Sequence, residues 1–161
     1  NRIMSMAKKL DRINIFVSHY HEDERQIKAL KSLMGEHYEM KNSSVTSEKF
    51  NRAKNPDYIK SLLKPLISWA GTFICLIGEN THNSEWVDWE IRQAGKMGKR
   101  IIGVYCHGAT DADVPDALEE FADAIVGWRK DKISSAISGE SYFEKADGSV
   151  RPFISMGRST C

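Results

Sequence analysis

One short apolar run, 72–77, limits the fold of this chain more than any other stretch. After Thr72 come Phe73, Ile74, Cys75, Leu76 and Ile77, with no polar residue alternating among them. A strand of this kind is covered on both faces, as in a parallel sheet that lies between two layers of helices. The run therefore predicts an α/β protein.

Four more stretches predict strands, at 12–18, 38–43, 100–106 and 124–128, and a helical pattern follows each of the five. The second helix is predicted to begin at Asn55 and Pro56, to kink at Pro65 and to end near Gly71. Five strand–helix repeats joined by right-handed crossovers predict a flavodoxin-like three-layer sandwich. We expect a five-stranded parallel sheet of order 2-1-3-4-5 with helices on both faces.

The length of 161 residues suits a single core. We predict an α/β domain at 1–139 and a C-terminal tail at 140–161. In the tail, Asp147 and Gly148 form a turn signal between Tyr142-Phe143 and the stretch 150–154. This pattern predicts a hairpin or strap that packs on the domain.

Composition excludes several classes of partner. Lys and Arg total 23 against 22 for Asp and Glu, so no overall field attracts nucleic acid or an anionic membrane. No apolar run is long enough to span a bilayer, and the polar start is not typical of a signal peptide. Cys75, Cys106 and Cys161 form no CxxC pair, which favours a reducing, cytoplasmic compartment. We expect neither a nucleic-acid nor a membrane partner.

The helix after the run 72–77 carries a carboxylate that has no local partner. Ser84 is placed to cap this helix, which is predicted from Glu85 to 95 or 97. The stripe that faces the sheet consists of Val87, Ile91, Ala94 and Gly98. Asp88 and Arg92 predict a surface ion pair. Glu90 lies at the edge of the stripe, with only uncharged helical neighbours.

Two interpretations of Glu90 stay open at this point. A glutamate at the boundary of a buried face ordinarily reaches water, and spacing alone favours that interpretation. A carboxylate near the carboxyl end of a central strand is also well placed for the ligand crevice of an open α/β sheet.

The loop after the first strand contains His19, His21 and Asp23, which resemble the start of a binuclear zinc hydrolase motif. That motif needs further ligands, and the remaining histidines are scattered through turns and helix ends, so we predict no metal site. We expect Ser18, His19 and Tyr20 to line a polar pocket at the carboxyl edge of the sheet. No GxGxxG, P-loop lysine or GxSxG motif occurs, and the acidic pocket of a phosphoreceiver domain is missing.

The tryptophans are expected first of all to be core residues. We keep that interpretation for Trp69, in a helix, and for Trp128, at the end of a strand. Trp86 lies one turn before Glu90 on the same side of its helix. Its ring either packs in the core or lies against a flat ring of a ligand.

Three segments together resemble the TIR-like domains of bacteria, with the closest likeness to the TIR protein of Thoeris antiphage defence systems. They are 15–20 at the end of the first strand, the Ser84-x-Trp86-Val87-x-x-Glu90-Ile91 helix start, and 99–104 in the fourth strand. The resemblance covers roughly Arg12 to Ile137 and does not include the tail.

The resemblance implies a flavodoxin-like fold that cleaves the nicotinamide–ribose bond of NAD+, which is a substrate here and not a cofactor. The product would be ADP-ribose or a cyclised or conjugated derivative that signals in antiviral defence. Glu90 falls on the position of the catalytic glutamate. The implied substrate-binding residues are Ser18, His19, Tyr20, Ser43, Ser44, Gly78 and Trp86. Lys49 and Arg52, in the polar loop 44–55, would close over the pyrophosphate.

The resemblance also implies a homo-oligomer and a downstream effector that senses the product. Two alternatives remain open. Some TIR domains only bind one another, in which case Trp86 and the loop 44–55 are contact surfaces and Glu90 is incidental. A nucleoside deoxyribosyltransferase-like enzyme also uses a glutamate on a related fold.

Overall fold

A computed structural model describes residues 12–20, 24–43 and 55–152 of the chain. Five strands form one parallel sheet, and their bounds are β1 Ile13–Ser18, β2 Tyr38–Asn42, β3 Thr72–Ile77, β4 Arg100–Tyr105 and β5 Ala124–Val126. Their order is β2-β1-β3-β4-β5, which confirms the predicted order. One helix follows each strand: α1 Glu24–Met34, α2 Pro56–Trp69, α3 Glu85–Lys96, α4 Asp116–Phe121 and α5 Lys130–Ile137.

The sheet separates two apolar layers. One contains Phe16, Phe73 and the inner faces of α2, α3 and α4. The other contains Ile15, Val17 and the inner faces of α1 and α5. All six residues of β3 are buried, as the unbroken apolar run predicts. The fold is therefore a flavodoxin-like three-layer sandwich with helices on both faces of the sheet.

Several predicted helix ends are confirmed by their capping contacts. The side chain of Asn55 accepts a hydrogen bond from the backbone N–H of Asp57 at 2.9 Å, and Pro56 is the first residue of α2. The helix includes Pro65, continues as one element to Trp69, and is followed by Ala70 as its C-cap.

The fifth strand is shorter than the sequence predicts. We expected it to reach Trp128, but β5 ends at Val126. The backbone N–H of the next residue, Gly127, donates to Oε1 of Glu144 at 2.9 Å instead of continuing a ladder with β4. Trp128 lies outside the strand and is half-buried against the layer that contains α5.

Residues 140–152 lie along the free edge of β5. Ile125 donates its backbone N–H to the carbonyl of Tyr142, and its own carbonyl accepts from Glu144, both at 2.8 Å. Glu144 also bridges to Val150 in antiparallel fashion across a turn in which Gly148 has a φ of 90°. An edge strand of only three residues is thereby covered on its open side.

We find no helix among residues 12–20, 24–43 and 55–152 with the length and apolar character needed to cross a membrane.

Candidate active site

The carboxyl ends of the two central strands meet below helix α3. β1 and β3 pair in parallel, with Ser18, the last residue of β1, opposite Cys75. Cys75 belongs to the same apolar layer as Phe16 and the inner face of α3. Since α3 packs against both strands, one of its side chains can reach the end of β1.

The loop between β3 and α3 is held by two hydroxyl groups. Thr81 is fully buried, and its Oγ1 accepts from the backbone N–H of Gly78 at 2.8 Å and donates to the carbonyl of Leu76 at 3.3 Å. Ser84 accepts from the backbone N–H of Val87 at 3.2 Å, which confirms the predicted cap. These contacts fix where α3 begins, and with it the height of its side chains above the sheet.

Ser18 and Glu90 form a buried hydrogen bond. The hydroxyl of Ser18 donates to Oε1 of Glu90 at 2.8 Å. Ser18 is 1% exposed and Glu90 is 3% exposed. The second carboxyl oxygen, Oε2, is also buried and has no hydrogen-bond partner among the residues that the structure describes. The Oε1 atom of Glu90 is thus held in place, and its Oε2 atom can still accept a hydrogen bond.

The interpretation of Glu90 as a boundary residue that reaches water was wrong. Spacing placed this side chain at the edge of the buried stripe, and the stripe itself, including Val87 and Ile91, is buried as predicted. However, α3 also contacts α2 and β1 in addition to β3 and β4, so the edge of the stripe is covered as well. The companion prediction is confirmed, because Asp88 and Arg92 form an ion pair at 3.0 Å near the surface.

Burial changes the acidity of this carboxyl group. Desolvation raises the pKa of Glu90 from 4.5 to about 8, although the hydrogen bond from Ser18 acts in the opposite direction. Burial, and then the nearby charge of Glu90, raise the pKa of the Cys75 thiol well above its usual value. Near pH 7 Glu90 is therefore mainly in its neutral form. A strongly shifted carboxyl group is common at sites that perform proton or charge chemistry.

Some of the other predicted site residues lie near this pair. His19 and Tyr20 follow Ser18 directly, and His19 is buried whereas Tyr20 is half-buried. Ser43 directly follows β2, which pairs with β1 through Val17 and Asn42, so it lies at the same edge of the sheet one strand away.

The remaining predicted residues are placed as follows. The backbone N–H of Gly78 donates to Thr81 within the loop between β3 and α3. Trp86 is half-buried, and its ring packs edge-on against Trp89 with centroids 6.2 Å apart. Ser44, Lys49 and Arg52 lie outside the described residues, and so does most of the predicted pyrophosphate loop.

Sequence reasoning missed the roles of Thr81 and Cys75. The sequence predicts no role for Thr81, and only its full burial distinguishes it from its exposed neighbours His82 and Asn83. Cys75 was correctly expected in the core, but its position opposite Ser18 depends on strand register. In the sequence, the local signal was no more than a threonine between Gly78 and Ser84.

Metal ligation has no support in the part of the chain that is described. There, no three His, Cys, Asp or Glu side chains come close enough together to hold an ion. His21 and Asp23, two of the three residues that resemble the start of a zinc hydrolase motif, are outside the described residues.

The geometry defines a class of protein: an α/β domain of the flavodoxin-like type with a buried carboxyl group at the carboxyl edge of its central strands. The family model of the Thoeris protein ThsB, TIR-like domain, matches residues 16–111. The chain belongs to this family. The matched segment contains both Ser18 and Glu90 and ends before the tail.

Two solved structures resemble the fold at low sequence identity. A 2-deoxyribosyltransferase from Bacillus psychrosaccharolyticus is 12% identical with a TM-score of 0.53, over 88% of this chain and 99% of that one. A CMP N-glycosidase from Clostridium botulinum, BcmB, is 18% identical with a TM-score of 0.48, over 78% of this chain and 98% of that one. No curated protein sequence gives a significant match.

Proposed function

We propose that this protein cleaves the nicotinamide–ribose bond of NAD+, with Glu90 as the catalytic carboxylate. The observation that carries the proposal is the arrangement of Glu90, which is 3% exposed and has one oxygen held by Ser18 and the other without a partner in the described part of the chain. An acid buried at the strand ends of this family's fold is suited to binding a polar ligand.

The reaction suits a single carboxyl group. Ordinary glycosidases need two, one to protonate the leaving oxygen and one to support the oxocarbenium-like centre. Nicotinamide in NAD+ leaves with the electron pair of the broken C1′–N bond, so a cationic ring becomes a neutral base and no general acid is required. Positive charge then develops at C1′, and a nearby carboxylate in a dry site stabilises it strongly.

The second half of the reaction returns the site to its starting form. Water bonds to C1′ and gives up a proton to the Glu90 carboxylate, which yields ADP-ribose, and release of that proton to solvent restores the carboxylate. If a hydroxyl or nitrogen of the same nucleotide or of another molecule attacks in place of water, the product is cyclic or conjugated. A carboxyl group with a pKa of about 8 is well matched to accepting a proton near neutral pH.

The proposal includes a biological setting. Membership of the Thoeris ThsB family supports a role in antiviral defence, with the nucleotide product sensed by a separate effector. We further propose self-association of the chain and a cytoplasmic location. The buried thiol of Cys75 in β3 is not part of a disulfide, which suits a reducing compartment.

The test is nicotinamide release from NAD+ by the purified protein, with the products identified by mass spectrometry. We expect Glu90→Gln to lower the rate at least 100-fold, since one electrostatic group of this type commonly contributes that much. Glu85→Gln is the matched control, because Glu85 lies on the same helix and is exposed. Equal activity of wild type and Glu90→Gln would falsify the assignment.

Protein concentration must be varied in this assay because self-association is part of the proposal. Concentration-dependent assembly without nicotinamide release, even in the assembled state, would favour a TIR module that only binds other copies of itself.

A second candidate is base exchange between deoxynucleosides. The fold likeness to a 2-deoxyribosyltransferase favours it, since that enzyme acts on nucleosides. Incubation with a deoxynucleoside and a second free base distinguishes the two, because only the transferase produces the exchanged deoxynucleoside.

A further inference from the structure

A cavity lies at the carboxyl edge of the sheet, the edge at which Ser18 meets Glu90. Its volume is about 360 Å³, and it is lined by the residues that end β4, the residues that follow β5, and the turn 146–148 of the tail. Ligand pockets in proteins begin at about 300 Å³. The cavity is therefore large enough for a mononucleotide but small for a whole dinucleotide.

The walls of this cavity are held by the tail. The carboxylate of Glu144 accepts from the N–H of Gly127 at 2.9 Å and from the guanidinium of Arg129 at 2.8 Å. The N–H of Ala146 donates to Asp111 at 2.7 Å. The hydroxyl of Tyr105 donates to the carbonyl of Glu144 at 3.0 Å. A pocket whose walls are already bonded requires little ordering when a ligand binds.

The lining combines an aromatic face with charges of both signs. The rings of Trp128 and His107 have centroids 5.9 Å apart and are tilted by 48°, so they do not cover each other face to face. Arg129 contacts Glu144 through one nitrogen, and its side chain is 51% exposed, which leaves guanidinium donors available. Asp147 supplies an anionic acceptor, because hydrogen bonds from Ser149 lower its pKa.

The cavity and Glu90 are close enough for one elongated ligand. β4 and β5 lie two and three strands from β1, which at about 4.8 Å per strand places the cavity roughly 12 Å from Ser18. Cys75, which pairs with Ser18, belongs to β3, the strand between β1 and β4, and Cys106 lines the cavity directly after β4.

We propose that this cavity binds the adenylate half of the dinucleotide whose nicotinamide end reaches Glu90. Trp128 stacks on the adenine ring, Arg129 contacts a phosphate, and Asp147 accepts from the amino group of the base. This inference rests on the proposed function for its ligand, but it is carried by the lining of a separate cavity.

Calorimetric titration with AMP tests the site without any turnover. We expect Trp128→Ala to weaken AMP binding about tenfold or more, since stacking of a base on an aromatic ring contributes about 1–3 kcal/mol. Trp128→Phe keeps a ring and should bind within about threefold of wild type. Trp69→Ala is the matched control, because Trp69 is also half-buried but lies at the opposite edge of the sheet, where its carbonyl accepts from the side chain of Asn14, so AMP affinity should be unchanged.

Three outcomes would overturn the inference. They are no binding of AMP, an unchanged AMP affinity in Trp128→Ala, or inorganic phosphate binding as tightly as AMP, which would indicate an anion site alone.

Failure of this inference is distinguishable from failure of the proposed function. If the wild type releases nicotinamide and Trp128→Ala keeps its KM for NAD+, the cavity assignment is overturned while the function of Glu90 stands. If no nicotinamide is released but AMP binds in a Trp128-dependent way, the nucleotide site is supported and the proposed reaction is not.

Discussion

The hydroxyl of Ser18 donates a hydrogen bond of 2.8 Å to the carboxyl group of Glu90, joining two residues that are 72 positions apart in the chain. The bond ties the end of β1 to helix α3. It also leaves one buried oxygen of Glu90 without a partner in the described residues, where an approaching ligand can use it. The chemistry proposed for the protein depends on Glu90, and this contact holds its carboxyl group in place.

Glu90→Gln should become more stable than the wild type as pH rises. The pKa of Glu90 is raised from 4.5 to about 8, so between these values the native state keeps a proton that the unfolded chain has lost. Native stability therefore falls through this window and is fully reduced above about pH 8, by about 5 kcal/mol at most. Gln cannot ionise and escapes this loss. Denaturant unfolding from pH 4.5 to 9 measures the free energy of unfolding of wild type and Glu90→Gln. A difference between them that does not change with pH would contradict the prediction.

The catalytic pH profile should reflect the same group. If the anion of Glu90 stabilises positive charge at C1′, kcat/KM for NAD+ should rise about tenfold per pH unit and level off near the pKa of about 8. Steady-state rates between pH 5.5 and 9 measure the profile. Glu85→Gln should keep its shape, because that residue is exposed. A flat profile through this range would exclude Glu90 as the ionising group.

Ser18→Ala should move that profile to higher pH. The hydrogen bond from Ser18 lowers the pKa of Glu90, so its removal raises the pKa further and leaves less anion at pH 7. We expect about a tenfold loss of kcat/KM at pH 7, since a hydrogen bond to a charged group contributes about 1.5–3 kcal/mol. Asp88→Asn is the comparison: it removes the surface ion pair with Arg92, which contributes about 0.3–0.5 kcal/mol, and should leave the profile in place.

Gly103→Ala should destabilise the centre of the sheet. A Cβ at this position would lie 3.0 Å from Cδ1 of Leu118 and 3.2 Å from Cδ1 of Ile77, both buried in the core. We expect a loss of about 1–3 kcal/mol in the free energy of unfolding, as in other overpacked cores. Gly71→Ala is the control, because a Cβ there meets no atom within 4 Å and its φ is not positive. Equal stability of the two variants would show that the core adjusts without cost.

Local patterns were sufficient to predict most of the architecture. Two-sided burial of β3, helical spacing of apolar side chains, and the caps Asn55 and Ser84 act within a few residues of one another, so they are visible in the sequence. The end of β5 was predicted less well, because the bond that ends it comes from Glu144, 17 positions further along the chain.

The site was predicted only in part. The sequence determined that Glu90 lies near the carboxyl end of a central strand without a local partner. It did not determine whether water or protein covers that carboxyl group, since helical spacing describes one helix and not its neighbours. The tertiary structure decided this, because it places Ser18 at the end of β1 against Glu90 and packs α2 against α3. The cavity at Trp128 is likewise formed by segments distant in sequence, because parallel strands bring their carboxyl ends to one edge.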